Sequence, residues 1–210
     1  MRQLDLPMVL DGIYYALGFA AGGALVAYLA GPYFAAPLFL LGLFCLYFFR
    51  DPDRDVPPGL VAVSPADGKI VGIRTEAGQP VRISIFLNIF DVHVNRAPVS
   101  GKIAAMHYQT GKFLVASRPE ASSQNEQNTV TIDQDDGVRV VFAQIAGLIA
   151  RRIVFHRKVG ERVEKGDRVG LIKFGSRVDV FLGPEWEITV KSGQRVAAAS
   201  SILARRKALT

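Results

Sequence analysis

Hydrophobic and polar positions divide the chain into two parts with different patterns. Residues 13–30 form an uncharged run rich in Ala, Gly, Leu and Tyr, and a second uncharged run, 33–49, follows a Gly31-Pro32 break. Each run is slightly shorter than the ~20 residues that comfortably span a bilayer core. The pattern predicts a membrane-associated hydrophobic helical hairpin over 1–50, which either crosses the membrane twice or dips in and returns. A pair of buried core helices is the alternative, and the density of Phe, Leu and Tyr in the second run disfavours it.

The pattern changes after residues 51–59, a polar, proline-rich stretch that predicts a linker. Short runs rich in Val and Ile follow, separated by Gly, Asp and Asn, which is typical of β-strands. The runs are 81–89, 99–106, 129–132, 138–145, 169–173, 178–182 and 188–190. Asp135-Asp136-Gly137 predicts a hairpin turn between two of them. The fold class is therefore expected to be mainly β, with a β-rich domain over 60–210.

Residues 160–170 (GERVEKGDRVG) resemble a hairpin of the biotinyl/lipoyl-like barrel-sandwich fold. The resemblance implies that Val163 packs inward, that Gly166-Asp167 makes the turn, and that the domain is barrel-sandwich-like. The usual context of a carrier lysine is absent, so a swinging-arm function is not expected. The tail over 195–210 is rich in small and basic residues, which is compatible with a short helix.

Charge separates the same two parts of the chain. The 210 residues include 25 basic and 19 acidic side chains, for a net charge of +6, and the charges of 1–50 cancel. A basic domain tethered to an apolar segment suits an anionic lipid surface, to which each nearby Lys or Arg adds about 1 kcal/mol. Basic residues flank both runs and the turn has none, so the positive-inside rule predicts a cell-membrane protein whose domain faces the cytoplasm. Nucleic acid is not expected as a partner, because we find no motif that combines aromatic and basic residues for stacking.

Several classes of site are missing from the sequence. It contains no P-loop, dinucleotide-binding glycine pattern or nucleophile elbow. The single cysteine, Cys45, permits neither an intrachain disulfide nor a thiol metal site. His93, His107 and His156 are too scattered in sequence to suggest metal spacing, so no metal is expected. From composition and pattern alone, we expect a membrane-tethered β domain without assignable chemistry.

Four segments, in order along the chain, resemble the phosphatidylserine decarboxylases and closely resemble their short form. The segments are 64–70 (SPADGKI), 91–98 (DVHVNRAP), 125–128 (NEQN) and 174–182 (FGSRVDVFL). Any one of them is unspecific, since a Gly-Ser pair is usually a turn, but four in the family's order are hard to obtain by chance. The resemblance extends from about Arg50 to Pro184, and the apolar N-terminal hairpin is similar too.

The resemblance implies a proenzyme that cuts itself between Gly175 and Ser176. Ser176 Oγ attacks the carbonyl carbon of Gly175, and elimination of the resulting ester leaves a large chain, 1–175, and a small chain, 176–210, as a heterodimer. The serine becomes a pyruvoyl group, a covalent cofactor that withdraws electrons as carbon dioxide leaves, as pyridoxal does. The implied activity is that of a carboxy-lyase that converts phosphatidylserine, a membrane phospholipid, to phosphatidylethanolamine. The resemblance leaves open whether this heterodimer assembles into a higher oligomer.

Serine is a weak nucleophile and needs a base. The family resemblance assigns this task to a Ser/His/Asp arrangement, carried over here as Ser176, His93 and Asp67. His93 takes the hydroxyl proton, and Asp67 fixes the tautomer of the imidazole. The alternative for Asp67 is an ordinary Asp-Gly turn, and the alternative for His93 is a half-exposed strand histidine.

Two positions depart from the family's pattern. Arg96 stands where long-form relatives carry a second histidine, and Gln127 stands where an arginine is commoner after the Asn-Glu pair. Arg96, Asn125 and Glu126 are candidates for supporting the site. The candidates for contacting a lipid phosphate are Arg151, Arg152 and Arg177. A solvated charge is the alternative for each of these three arginines.

Two other functions remain open at the level of sequence. One is the same decarboxylation on another seryl lipid such as archaetidylserine, because the headgroup carries the chemistry. The other is a non-enzymatic, membrane-anchored barrel-sandwich adaptor. The adaptor predicts an intact Gly175–Ser176 bond and long coiled coils, but the sequence has no sustained heptads.

Overall fold

The chain consists of two compact units, Met1–Asp53 and Arg54–Thr210. The computed structural model describes residues 9–75, 79–114, 121–147, 152–173 and 175–207. The sequence interpretation divided the chain into 1–50, a linker over 51–59, and 60–210. These predicted boundaries and the cleavage into two chains remain predictions.

The first unit is a pair of apolar helices, α1 (Leu10–Ala30) and α2 (Pro32–Phe48). Gly31 joins them with a φ of +101°, a backbone conformation that glycine adopts without strain. Pro32 begins α2, where its missing N–H costs no helical hydrogen bond. By length and composition α1 could span a membrane, and α2 is a shorter apolar helix. The predicted hairpin is therefore confirmed, with its turn at the predicted break.

The second unit is built mainly of strands, as the sequence predicted. Within the part of this unit that the structure describes, one helical turn, α3 (Ala121–Gln124), interrupts them. The strands are β1 (Val61–Val63), β2 (Gly68–Arg74), β3 (Val81–Leu87), β4 (Val94–Arg96), β5 (Gly101–Gln109), β6 (Gln127–Asp133), β7 (Arg139–Ile145), β8 (Ile153–Phe155), β9 (Arg162–Val163), β10 (Arg168–Ile172), β11 (Ser176–Leu182), β12 (Trp186–Ile188), β13 (Arg195–Val196) and β14 (Ile202–Arg206).

An eight-stranded antiparallel sheet, in the order β13-β2-β3-β11-β7-β6-β5-β9, forms the largest layer of this unit. Two three-stranded sheets accompany it, in the orders β1-β14-β12 and β4-β10-β8. Alternate residues of the central strand β11, Val178, Val180 and Leu182, are fully buried in the hydrophobic core. Since successive side chains of a strand point to opposite faces, this period of two explains why the Val- and Ile-rich runs became strands.

The two turns predicted from sequence are both present. Gly137 has a φ of +82°, and the backbone N–H of Gln134 donates to the carbonyl of Val138 at 2.9 Å, closing the hairpin between β6 and β7. In the second hairpin Val163 is buried, and Gly166 has a φ of +89° in the turn before β10. The barrel-sandwich-like hairpin therefore has the predicted inward valine and glycine turn.

The C-terminal tail differs from the short helix that its composition allowed. It forms two strands, β13 and β14, and β14 lies between β1 and β12. Leu203 and Ala204 are fully buried in the core. Tertiary pairing with strands distant in sequence therefore overrides the local preference of small and basic residues for a helix.

Candidate active site

Segments that carry the family resemblance lie at one end of the eight-stranded sheet. Ser176 begins β11 opposite Leu87, the last residue of β3. On the other side of β11, Arg177 lies opposite Ile145, the last residue of β7, and Ile145 in turn lies opposite Gln127, the first residue of β6. Antiparallel pairing therefore brings residues from three distant parts of the sequence to the Ser176 end of the sheet.

Ser176 is completely buried, and its Oγ has no hydrogen-bond partner among the described residues. Gly175 precedes it with a φ of +59°, in the left-handed region that disfavours residues with a Cβ. A Cβ built on Gly175 would nevertheless meet nothing within 4 Å apart from its chain neighbours. The structure therefore requires glycine at this position for its backbone conformation and not because of crowding by distant residues.

His93 contacts Gly175 directly. Its Nε2 accepts a hydrogen bond from the backbone N–H of Gly175 at 3.3 Å, and its Nδ1 lies 2.9 Å from the carbonyl oxygen of Asp91. An N–H can only donate and a carbonyl can only accept, so Nδ1 carries the proton and Nε2 offers a lone pair. The ring is almost completely buried. A neutral imidazole whose unprotonated Nε2 contacts the N–H of Gly175, the residue before Ser176, has the form that a general base requires.

A closed turn fixes the backbone that contacts His93. The carboxylate of Asp91 accepts from the backbone N–H of Asn88 at 2.9 Å, and the N–H of Asp91 donates to the carbonyl of Asn88 at 3.0 Å. The guanidinium of Arg195, in β13, forms an ion pair with the same carboxylate. The Asp91 side chain is buried, so this pair lies partly out of solvent. Sequence reasoning missed Asp91 and Arg195, although Asp91 belongs to a segment that carried the family resemblance.

Asp67 lies just before β2, and its carboxylate binds Arg54 and the backbone of Ala198. Its carboxylate accepts from Arg54 at 2.8 and 3.0 Å and from the backbone N–H of Ala198 at 2.7 Å. The carboxylate is largely buried, and the following residue, Gly68, packs so tightly that a Cβ would lie 2.2 Å from the carbonyl oxygen of Phe86. The orienting role that the resemblance assigns to Asp67 therefore stays a prediction.

Arg96, one of the two predicted departures, is buried. Its guanidinium donates to the carbonyl of Gly166 at 3.2 Å, and the N–H of Gly166 donates to the carbonyl of Ala97 at 2.9 Å. Arg96 thus ties β4 to the glycine turn before β10. This position supports the framework of β4, the strand that directly follows His93.

Asn125 joins three backbone segments beside the site. Its Nδ2 donates to the carbonyls of Leu114 at 2.8 Å and Ala146 at 2.7 Å, and its Oδ1 accepts from the N–H of Leu114 at 2.9 Å. The side chain is completely buried. Because Ala146 directly follows Ile145 at the end of β7, Asn125 holds the backbone next to the beginning of β11.

Glu126 and Gln127 make side-chain contacts with β5. The Tyr108 hydroxyl donates to Glu126 Oε1. Partial burial and the nearby carboxylate raise the pKa of Tyr108 to about 12. Gln127, the second departure from the family's pattern, donates to Gln109 across the strand pair at 3.3 Å.

A buried row of three amides is a feature that sequence reasoning missed. Asn128 donates to Gln144 Oε1 at 3.1 Å, and Gln144 Nε2 donates to Asn95 Oδ1 at 2.9 Å. The carbonyl of Val154, which can only accept, lies 3.5 Å from the same Nε2 and fixes the direction of the row. The last donor, Asn95 Nδ2, is enclosed without a partner among the described residues. The available signal was Gln144, a polar residue at an inward position of an apolar strand.

Arg177 is not available as a surface contact for a phosphate. Its guanidinium binds the carboxylate of Asp179, with Nε at 2.6 Å from Oδ1, and also donates to Ser84 Oγ. Both members of the pair are buried, with side chains 4% and 1% exposed. Of the other two phosphate candidates, Arg152 is exposed and Arg151 lies outside the described residues.

Comparisons with known proteins match the chain over most of its length. The family model described as phosphatidylserine decarboxylase matches residues 41–204. A phosphatidylserine decarboxylase proenzyme of Solibacter usitatus is 64% identical over 96% of this chain and 98% of its own length. Proenzymes of the same name from Trichlorobacter lovleyi and Pelobacter propionicus are 47% and 40% identical, over 92% and 98% of this chain and 92% and 99% of their own lengths.

Proposed function

Because the chain belongs to the phosphatidylserine decarboxylase family, we propose that it cuts itself between Gly175 and Ser176 and then decarboxylates phosphatidylserine to phosphatidylethanolamine. The observation that carries this proposal is the contact of His93 Nε2 with the peptide N–H of Gly175. It places an unprotonated ring nitrogen at Gly175, the residue whose carbonyl carbon Ser176 would attack.

Self-cleavage begins when Ser176 Oγ attacks the carbonyl carbon of Gly175 and His93 Nε2 takes the hydroxyl proton. The proton passes to the departing amide nitrogen, so the peptide becomes an ester. Removal of the Ser176 Cα proton expels the Gly175 carboxylate and leaves dehydroalanine. Its enamine adds water and releases ammonia, which leaves a pyruvoyl group at the new N-terminus.

The residues around Ser176 fit such a group. Ser176 is fully buried, and Asn95 Nδ2, at the end of the amide row, is an enclosed donor that lacks an acceptor among the described residues. An unsatisfied buried donor costs roughly 1–3 kcal/mol, which an incoming oxygen would recover. When present, the pyruvoyl ketone supplies an electron sink for loss of carbon dioxide.

His93 and Asn95 are two residues apart in one extended segment. Their side chains therefore project to the same side of it. His93 reaches Gly175, and Asn95 reaches Gln144, which lies opposite Val178 on the neighbouring strand. Along the chain Ser176 lies between Gly175, which His93 contacts, and Val178, the strand partner of Gln144. Asn95 Nδ2 thus supplies a donor for an oxygen that gains negative charge at this residue.

In this proposal the two products of cleavage remain one folded unit. The small chain, 176–210, contributes β11, which pairs with β3 on one side and with β7 on the other. Both partner strands belong to the large chain, 1–175. The backbone hydrogen bonds of β11 and its buried Val and Leu side chains would therefore hold the heterodimer together after the covalent link is lost.

The apolar hairpin supports a substrate that stays in the bilayer, with the catalytic unit on the cytoplasmic side as the flanking basic residues predict. In this proposal Asp67 orients His93, and Arg96 and Asn125 support the surrounding backbone. Glu126 contacts the Tyr108 hydroxyl and is a further candidate for supporting the site. A seryl lipid with ether-linked chains, such as archaetidylserine, carries the same headgroup and is a second candidate substrate.

The test is the intact mass of purified full-length protein under denaturing conditions, together with product analysis. We expect fragments 1–175 and 176–210, the smaller one with a carbonyl at its N-terminus, and conversion of phosphatidylserine to phosphatidylethanolamine with release of carbon dioxide. An intact, inactive chain would instead favour the adaptor function. Cleaved protein that acts on archaetidylserine and not on phosphatidylserine would reassign the substrate alone.

A further inference from the structure

Two large apolar side chains protrude from the catalytic unit beside the candidate active site. Ile89 and Phe90 are 37% and 60% exposed. They form the tip of the turn that follows β3, whose last residue, Leu87, lies opposite Ser176. We call these two residues the apolar tip. Exposed apolar side chains that adjoin a functional site are candidates for an interaction surface.

Hydrogen bonds within the turn hold the backbone of the apolar tip. The backbone N–H of Phe90 donates to Asn88 Oδ1 at 2.8 Å, and the carboxylate of Asp91 accepts from the N–H of Asn88 at 2.9 Å. The same turn provides the carbonyl that contacts His93 Nδ1. The position of the tip is therefore fixed relative to the proposed base.

Basic side chains flank the apolar tip. Arg195 binds the carboxylate of Asp91 and remains 64% exposed, and it pairs in register with Lys69, which is also exposed. Lys69 lies opposite Phe86, one residue before the end of β3. Apolar side chains bordered by Lys and Arg match the interface of an anionic bilayer, where the acyl boundary takes the apolar groups and phosphates attract the cations.

We infer that the apolar tip docks on an anionic phospholipid bilayer, with Ile89 and Phe90 entering the interface and with Lys69 and Arg195 at the level of the phosphates. This inference rests on the proposed function, because the substrate is a lipid of that bilayer. Docking at the tip brings the Ser176 end of the sheet to the headgroups, where the bond to the carboxyl group must be broken. The tip is a docking surface in addition to the apolar hairpin.

The first test measures contact with lipid without using activity. Full-length Phe90→Trp protein is placed in vesicles that contain phosphatidylserine and lipids with a quencher on the acyl chain, and the wild type gives the background of Trp186. The matched control is Val159→Trp, because Val159 is also an exposed apolar residue but lies in the turn before β9, at the opposite end of the sheet. We expect quenching at position 90 and little at position 159.

Equal quenching at the two positions, or none at position 90, would overturn the inference. Emission at position 90 that shifts with protein concentration in detergent without lipid would also overturn it, because it would indicate contact with a second copy of the chain. Since this readout does not require decarboxylation, the inference and the proposed function can fail separately.

The second test separates docking from catalysis. The double variant Ile89→Ser, Phe90→Ser should cleave itself normally, which also reports correct folding. Its rate should fall by about tenfold on phosphatidylserine in vesicles. On a short-chain phosphatidylserine dissolved as monomers it should keep the wild-type rate. Equal losses on both substrates would contradict docking, as would an unchanged rate on vesicles.

Discussion

His93 and Gly175 are joined by a hydrogen bond from the backbone N–H of Gly175 to His93 Nε2, at 3.3 Å. The contact spans 82 positions of the sequence. On the other side of the ring, the carbonyl of Asp91 holds the proton on Nδ1. These two contacts thus fix the tautomer of the imidazole and its position at Gly175, the residue before Ser176.

Replacing His93 with alanine should slow self-cleavage by about 10²–10⁴-fold, because it removes the proposed general base. The measurement is the time course of fragment release after cell-free synthesis, followed by gel electrophoresis. His107→Ala is the matched control, because His107 is an exposed residue of β5. Normal cleavage of the His93 variant would assign the base to another group.

Replacing Ser176 with alanine should leave an uncut chain without decarboxylase activity, because the Oγ that attacks Gly175 is gone. Intact mass spectrometry and a carbon dioxide assay measure both effects. Ser192→Ala is the control, since Ser192 is exposed in the same C-terminal segment. Normal turnover by the Ser176 variant would eliminate the pyruvoyl proposal.

Local patterns predicted the hairpin and half of the strands in the described residues, because the period of two in a strand and the long apolar runs are properties of neighbouring residues. Ser176 and His93 came from the family resemblance of short segments. The contacts of His93 with Asp91, and of Asp91 with Arg195, could not be predicted in this way. The pair Asp91–Arg195 joins residues 104 positions apart, and only the pairing of β13 with β2 brings them together.

Contacts between residues distant in sequence also determine the strands of the C-terminal tail and the row of buried amides, so local patterns did not predict them. The sequence of β14 has no strong preference for a strand, and its pairing with β1 and β12 decides its structure. Asn95 and Gln144 are 49 positions apart and meet only through the packing of two different sheets. Polar residues in apolar runs are therefore visible in a sequence, but their partners are not.

The role of Asp67 can be separated from the role of its ion pair with Arg54. If Asp67 orients His93 during cleavage, Asp67→Asn should slow fragment release by at least about tenfold. Arg54→Gln removes the same ion pair but leaves the carboxylate, and should slow it less. Rates of fragment release from the two variants, compared with their unfolding midpoints, provide the measurement. Equal losses of rate and stability would limit Asp67 to a structural role.

The Arg177–Asp179 pair should be important for stability, because both charges are buried. Asp179→Ala leaves the guanidinium without its carboxylate and should lower the free energy of unfolding by about 3–5 kcal/mol. Urea unfolding of the full-length protein in detergent measures the change. Asp133→Ala breaks the exposed ion pair with Arg139 and should have a much smaller effect. A similar loss of unfolding free energy in both variants would contradict the expectation that the buried ion pair matters more than the exposed one.

The raised pKa of Tyr108 predicts a pH-dependent stability. Tyr108 is the one tyrosine outside residues 1–50, so the absorbance difference between wild type and Tyr108→Phe isolates its ionisation. We expect a pKa of about 12, caused by partial burial and by the hydrogen bond and charge of Glu126. Glu126→Gln should lower this pKa while leaving the contribution of burial.

The sign of the effect on stability follows from the direction of this shift. The folded protein keeps the phenol protonated to a higher pH than the unfolded chain, whose tyrosine ionises near pH 10. The contribution of Tyr108 is therefore complete below about pH 10 and is lost as the pH rises toward about 12. Unfolding midpoints of wild type and Tyr108→Phe should converge over this interval. Midpoints that stay a constant distance apart would indicate that the Tyr108–Glu126 hydrogen bond does not control the ionisation.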